Sequence, residues 1–169
     1  MNLFFRLLYV FLFSRFRSAV EILGPCTTPF RVWLTDLDVL RHMNNGVYFS
    51  ILDLARTDYI IRAGLHQKID KGGYYPVVVA ETGRFKRSLQ PFQKFYVETR
   101  LIGWDEKAFI LEQEFKVKGQ LMASAVIRAR FLKRTGGSAS PNEILNLVGY
   151  TQSSPVLEPW IQAWNQQQI

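Results

Sequence analysis

The 169-residue chain is poor in the side chains most used for nucleophilic and metal chemistry, with one cysteine, Cys26, and two histidines, His42 and His66. A lone cysteine excludes an intrachain disulfide and a cysteine-based metal site, and a reducing compartment is the simplest setting. No pair of histidines shares a helical face with a carboxylate, so no metal site is expected. Cys26 sits next to a proline and no serine has a nucleophile-elbow context, which makes Ser-His-Asp and Cys-His systems a poor fit. A glycine-rich phosphate loop is lacking. Without zinc spacing or a basic recognition helix, nucleic acid is not an expected partner. No apolar run reaches the about 20 residues that a membrane-spanning helix needs. There is no internal repeat and no heptad pattern.

What is present is a basic, aromatic-rich chain: net charge +7, 48% hydrophobic and 14% aromatic residues. This composition fits one packed domain and argues against disorder. The excess of Lys and Arg serves solubility, a polyanionic ligand or an anionic membrane surface, and charge alone does not choose among them.

Periodicity divides the chain into three parts. Residues 1–27 are a hydrophobic and basic leader. Leu3 to Phe13 carries one charge, Arg6, and is followed by Arg15 and Arg17 with no small-residue cleavage site, unlike a signal peptide. It is predicted as a helix of about three turns, apolar on nearly every side. Such a helix packs on the domain or a partner subunit, or lies in a membrane interface through residues 3–17 with Arg6, Arg15 and Arg17 meeting lipid phosphates.

Residues 28–135 read as a strand from Thr28 to Thr35, with Phe30, Val32 and Leu34 on one face, and then a long helix. Asn44 or Asn45 caps that helix, Gly64 stops it after Ala63, and its apolar residues cover most of its circumference. His66 to Gly73 is expected to be a loop. Four period-two segments follow, 76–89, 94–103, 107–118 and 120–133. The fold class is α+β, an antiparallel sheet wrapped around a buried helix. Residues 136–169 form a tail: a Gly136–Ser138 linker, a capping box at Ser140–Glu143 opening a short helix, and a second helical piece from Glu158. There Trp160 and Trp164 share a face expected to dock the tail.

With triads, metals and phosphate loops set aside, the residues left for chemistry are Asp36, Asp38, His42, Asn44 and Asn45, immediately before a helix start. The run Asp36-Leu37-Asp38-Val39-Leu40-Arg41-His42-Met43-Asn44-Asn45-Gly46-Val47-Tyr48 resembles the D-x-D-x-x-G-H-V-N-N-x-x-Y signature of hotdog-fold acyl-CoA thioesterases of the 4-hydroxybenzoyl-CoA thioesterase type. Asp53-Leu54-Ala55-Arg56 resembles the E-x-A-R that follows it, and Phe85 to Leu89 looks like the family's next basic segment. The leader and the Trp-containing tail resemble a THEM-like branch.

The resemblance implies a hotdog fold, a curved antiparallel sheet around the long helix, assembled as a homodimer or homotetramer with active sites at the dimer interface. The implied substrate is an acyl-CoA or related acyl thioester, with no separate cofactor. Asp38 would act as general base or nucleophile, and N–H groups near Asn45 and Gly46 would bind the thioester oxygen. Arg84, Lys86 and Arg87 would meet the coenzyme A phosphates. His42 orients Asp38 or a water, or only fixes the loop; Tyr48 lines the acyl pocket, or only packs. Arg41 stands where the family has glycine; it narrows the site, reshapes the loop or adds a phosphate contact. The expected location is cytoplasmic, with a membrane-peripheral variant. Two alternatives are a non-catalytic acyl-CoA or lipid-binding hotdog protein at a membrane, and a hotdog hydratase. The second is disfavoured because no histidine lies on the central helix.

Overall fold

The computed structural model describes residues 3–168. In chain order the elements are α1 (Leu3–Ser14), β1 (Cys26–Arg31), a 3₁₀ turn (Leu34–Asp36), α2 (Asn45–Arg62), α3 (His66–Lys71), β2 (Tyr74–Phe85), β3 (Lys94–Trp104), β4 (Phe109–Val117), β5 (Gln120–Lys133), β6 (Ser138–Ala139), α4 (Pro141–Asn146) and α5 (Pro159–Gln166). The strands form one antiparallel sheet in the order β1-β3-β4-β5-β2, with β6 added to β5. The curved sheet packs on α2, which is the hotdog arrangement.

The pleat explains the packing. Alternate residues of β3, β4 and β5 point to the helix: Phe95, Val97 and Leu101, then Leu111 and Phe115, then Ala123, Ala125, Ile127 and Ala129. The alanines of β5 leave room for α2, whose Ile51, Leu52, Ala55 and Tyr59 are buried against the sheet. One polar residue interrupts this face. Gln113 on β4 is fully buried and fully used: it accepts from Arg56 Nη1 at 2.6 Å and donates to the Leu52 carbonyl and Thr99 Oγ1. Arg56 pairs with Asp53 on its other side. Asp58 pairs with Arg62 one turn on, as the spacing predicts, but it is also a buried hub for Thr28 Oγ1 and Arg17.

Several boundaries differ from the sequence reading. The first strand ends at Arg31, not Thr35, and Leu34 is exposed. The Asp36 carboxylate accepts the Trp33 N–H at 2.7 Å and bends the chain into a turn. Residues 66–71 are helical, because burying Leu65 and Ile69 stabilises a helix too short to stand alone. Gly136 and Gly137 are no linker: at φ 100° and 82° they close a hairpin that lays β6 on β5. In the tail, Ser140 caps α4 as expected. α5, however, docks through Ile161, Trp164 and Asn165, while Trp160 is half exposed. Arg128, on the outer sheet face, joins Asp105 and Asn165 and so selects that face.

The leader helix is inverted. Arg6, Val10 and Ser14, at spacing i, i+4, i+8, are buried against the domain. Leu3, Phe4, Phe5, Leu7, Leu8, Leu12 and Phe13 face outward. Of the three arginines expected at lipid phosphates, Arg6 instead pairs with Asp36 and Arg17 with Asp58; Arg15 alone is exposed. Among the described residues no helix is long and apolar enough to cross a membrane.

Candidate active site

The site begins as a small ribbon. The Asp36 carbonyl accepts the Asn44 N–H at 2.8 Å, Leu37 bridges Met43, and the Asp38 N–H donates to the His42 carbonyl at 2.8 Å. At the tip, the Arg41 N–H donates to the Asp38 carbonyl. Asp38 Oδ1 accepts from the Leu40 and His42 N–H groups at 2.8 and 3.2 Å. Those bonds hold the half-buried carboxyl in one orientation, and Asp38 Oδ2 has no hydrogen-bond partner among the described residues.

The ribbon runs directly into α2. Asn44 is the N-cap, and its Oδ1 takes the Gly46 N–H at 2.8 Å. Val47 donates to the Asn44 carbonyl at 2.9 Å. Gly46 therefore has no N–H to spare, and the donor open at the helix start is the Asn45 N–H, at the positive end of an 18-residue helix.

A cleft of about 250 Å³ gathers Asp38, His42, Met43, Asn45 and Tyr48 with Phe85, Lys86, Arg87 and Ser88. Six of the sequence-predicted site residues thus meet in one place. Lys86 and Arg87 lie just past the end of β2, both donating their N–H groups to the Met122 carbonyl at 2.9 and 3.0 Å. Tyr48 is buried against Phe85 and Phe115, its hydroxyl accepting the Leu89 N–H at 3.2 Å. Burial pushes its phenol up from the ordinary value, so the hydroxyl is neutral at physiological pH.

Three predicted residues do not line this cleft. Gly46 is behind the cap. Arg41 is exposed on the ribbon tip with φ 60°. Arg84 lies in a different cleft, with Glu112, Ser124 and Trp160, because strand alternation puts it opposite Phe85. The sequence reading misses Met43, Phe85 and Ser88 as lining residues; Phe85 and Ser88 lie within the basic segment it singles out, which is joined to the ribbon and α2 where the Leu89 carbonyl accepts the Met43 N–H and the Leu89 N–H donates to the Tyr48 hydroxyl.

A second, more apolar cavity of about 190 Å³ lies between α2, the sheet and α4, lined among others by Ile60, Val77, Phe109, Phe131 and Ile144. It shares no residue with the cleft. Its charged lining residues, Asp53 and Arg56, are paired with each other. The cleft, unlike this cavity, joins a carboxylate oxygen with no hydrogen-bond partner among the described residues to a helix N-terminus. Cys26 is no rival nucleophile: burial first, and then the neighbouring Asp58, push its thiol up to about 12.

A family model described as the thioesterase-like superfamily matches residues 32–164. The chain is 41% identical over 134 residues to the protein THEM6 of Xenopus laevis, an overlap covering 70% of this chain and 65% of the frog protein. Among solved structures, the probable thioesterase YbaW of Escherichia coli matches with TM-score 0.67 at 24% identity, covering 73% of this chain and 96% of that one. A Staphylococcus aureus protein determined in complex with CoA matches with TM-score 0.67 at 18% identity, covering 84% of this chain and 94% of that one. At these identities the two structures carry the fold.

Proposed function

The chain belongs to the thioesterase-like superfamily, and on that premise we propose that it is an acyl-CoA thioesterase, releasing a free acid and CoA. Asp38 acts on the thioester carbonyl as base toward water or as nucleophile. Water's oxygen ends on the acyl carbon and the C–S bond breaks; Asp38 takes a proton from water, directly or through hydrolysis of an acyl-Asp38 anhydride, and a proton returns to the leaving thiolate, giving the free acid and the CoA thiol. The Asn45 N–H, backed by the α2 dipole, receives the developing oxyanion, and Lys86 and Arg87 hold the CoA phosphates at the rim. His42 lines the same cleft and orients the attacking group. The observation that carries this reading is the meeting of Asp38, Asn45, Lys86 and Arg87 in one cleft. The Staphylococcus neighbour's bound CoA supports the choice of thiol carrier.

A homodimer fits the same reading, since β2 is an edge strand exposing Tyr75, Val78, Val79 and Phe85. The outward apolar face of α1 fits contact with a membrane interface. That face also favours a second reading, a non-catalytic acyl-CoA or lipid binder held at a membrane.

CoA release over a panel of acyl-CoA chain lengths, wild type against Asp38→Asn, decides between the two. Asparagine keeps an oxygen for the Leu40 and His42 N–H groups and so spares the ribbon. A loss of about 10³-fold in kcat is expected for a base removed from its substrate. Binding of acyl-CoA with no turnover by wild type selects the binder.

A further inference from the structure

Arg6 is the one charged residue of an otherwise apolar helix, and it is turned inward. Its Nη2 donates to Asp36 Oδ2 at 2.6 Å and to the Arg31 carbonyl at 3.2 Å, and both side chains of the ion pair are almost wholly buried. Asp36 is not a distant anchor. The same Oδ2 takes the Trp33 N–H at 2.7 Å, and its carbonyl takes the N–H of Asn44, the residue that caps α2. Two residues on is Asp38. The buried pair thus sits at the root of the ribbon, where the strand bearing Asp38 and the strand leading to the oxyanion helix join.

We propose that Arg6 is a positioning residue: through Asp36 it fixes the Asp36–Asn45 ribbon, and so sets Asp38 against the Asn45 N–H. This rests on the thioesterase reading above. Without Arg6 the Asp36 carboxylate is buried with only a backbone donor and draws toward water, which pulls the 3₁₀ turn and the Asn44 bond with it. A displacement of the order of 1 Å between an attacking group and its oxyanion donor costs about 10²-fold in rate. Substrate binding, carried by Lys86 and Arg87 on another element, is untouched. α1 thereby becomes part of the catalytic apparatus, with its outward face left for a different contact.

The test uses the full chain and four variants: Arg6→Met, Arg6→Lys, Val10→Ala and the double Arg6→Met/Asp36→Leu. Val10 is buried on the same helix face one turn from Arg6 and takes part in none of the pair's hydrogen bonds, and so reports loosening of α1 with the ion pair left in place. kcat and KM on acyl-CoA are measured beside thermal unfolding and hydrogen exchange of the Asp38, Leu40, His42 and Asn44 amides. Arg6→Met is expected to lower kcat by about 10- to 100-fold at near-constant KM and to speed exchange at those amides. Arg6→Lys restores much of both. The double variant, with no unpaired buried charge, regains stability but not kcat. The proposal is overturned if the double variant regains kcat with its stability, if Arg6→Met loses no more kcat than Val10→Ala, or if exchange at the four amides stays at the wild-type rate. If wild type cleaves no thioester, the enzymatic reading fails, while the exchange data still decide whether Arg6 orders the ribbon.

Discussion

The Arg41 N–H donates to the Asp38 carbonyl at 3.0 Å, and to do so Arg41 takes a left-handed backbone at φ 60°. That conformation is strained for any side chain with a Cβ and natural for glycine, which accounts for glycine at this place in the related signature. Arginine here changes no contact of the cleft; it strains the turn that holds Asp38. Arg41→Gly is therefore expected to stabilise the protein by about 1 kcal/mol, read as a higher urea midpoint, with KM for acyl-CoA unchanged. Arg41→Ala should bring no gain. A rise in KM for either variant would put Arg41 on the substrate.

Lys86 and Arg87 are the cationic rim of the cleft, and Arg84 is not. Lys86→Ala/Arg87→Ala should raise KM for acyl-CoA by about 10-fold, the worth of a charge-assisted hydrogen bond or two, with little change in kcat. The wild-type KM should rise with salt and the variant's should not. Arg84→Ala should behave as wild type in the same assay.

Gln113 is a buried polar bridge between α2 and the inner face of the sheet. Gln113→Leu strips Arg56 of one partner and leaves the Leu52 carbonyl and Thr99 hydroxyl without it in the core. A loss of about 3 kcal/mol is expected, measured by urea unfolding. Arg56→Met placed on top should recover part of it, a non-additivity that marks the two as one network.

The clasp holding α5 is acid-sensitive. Burial alone would raise the Asp105 carboxyl, but hydrogen bonds from Arg128, Asn165 and the Lys107 and Ala108 N–H groups outweigh it and hold the carboxyl at about 2, against an ordinary 3.8. A depressed folded value means the stabilisation is complete above about pH 4 and is lost as pH falls toward 2. Because Asp105 is partly open to solvent, its worth is about 1 kcal/mol. Stability of wild type should fall through that window, and Asp105→Asn should show a flatter profile from a lower plateau.

Much of the candidate cleft's lining is legible in the sequence. Asp38, His42, Asn45 and Tyr48 lie close together along the chain, and the Asn-Asn pair ahead of a long apolar run marks a capped helix start. Lys86 and Arg87 are legible only through the family resemblance, since nothing local ties β2 to the ribbon. Arg84 is misplaced by the sequence for a local reason: a basic run on a strand is split between two faces, and the run does not say which face has the cleft. Gly46 is credited with a free N–H that the side chain of Asn44 already holds.

Neighbouring residues set the helix ends, the period-two strands and the small alanines of β5, because capping, pleat and side-chain volume act over a few positions of the chain. The orientation of α1 comes instead from packing in three dimensions. By composition that helix should bury its apolar side chains. It presents Arg6 and Ser14 to the domain, because a buried carboxylate on Asp36 draws the single guanidinium inward more strongly than one more leucine could be drawn. Such a pairing joins residues thirty apart, and no pattern along the chain records it.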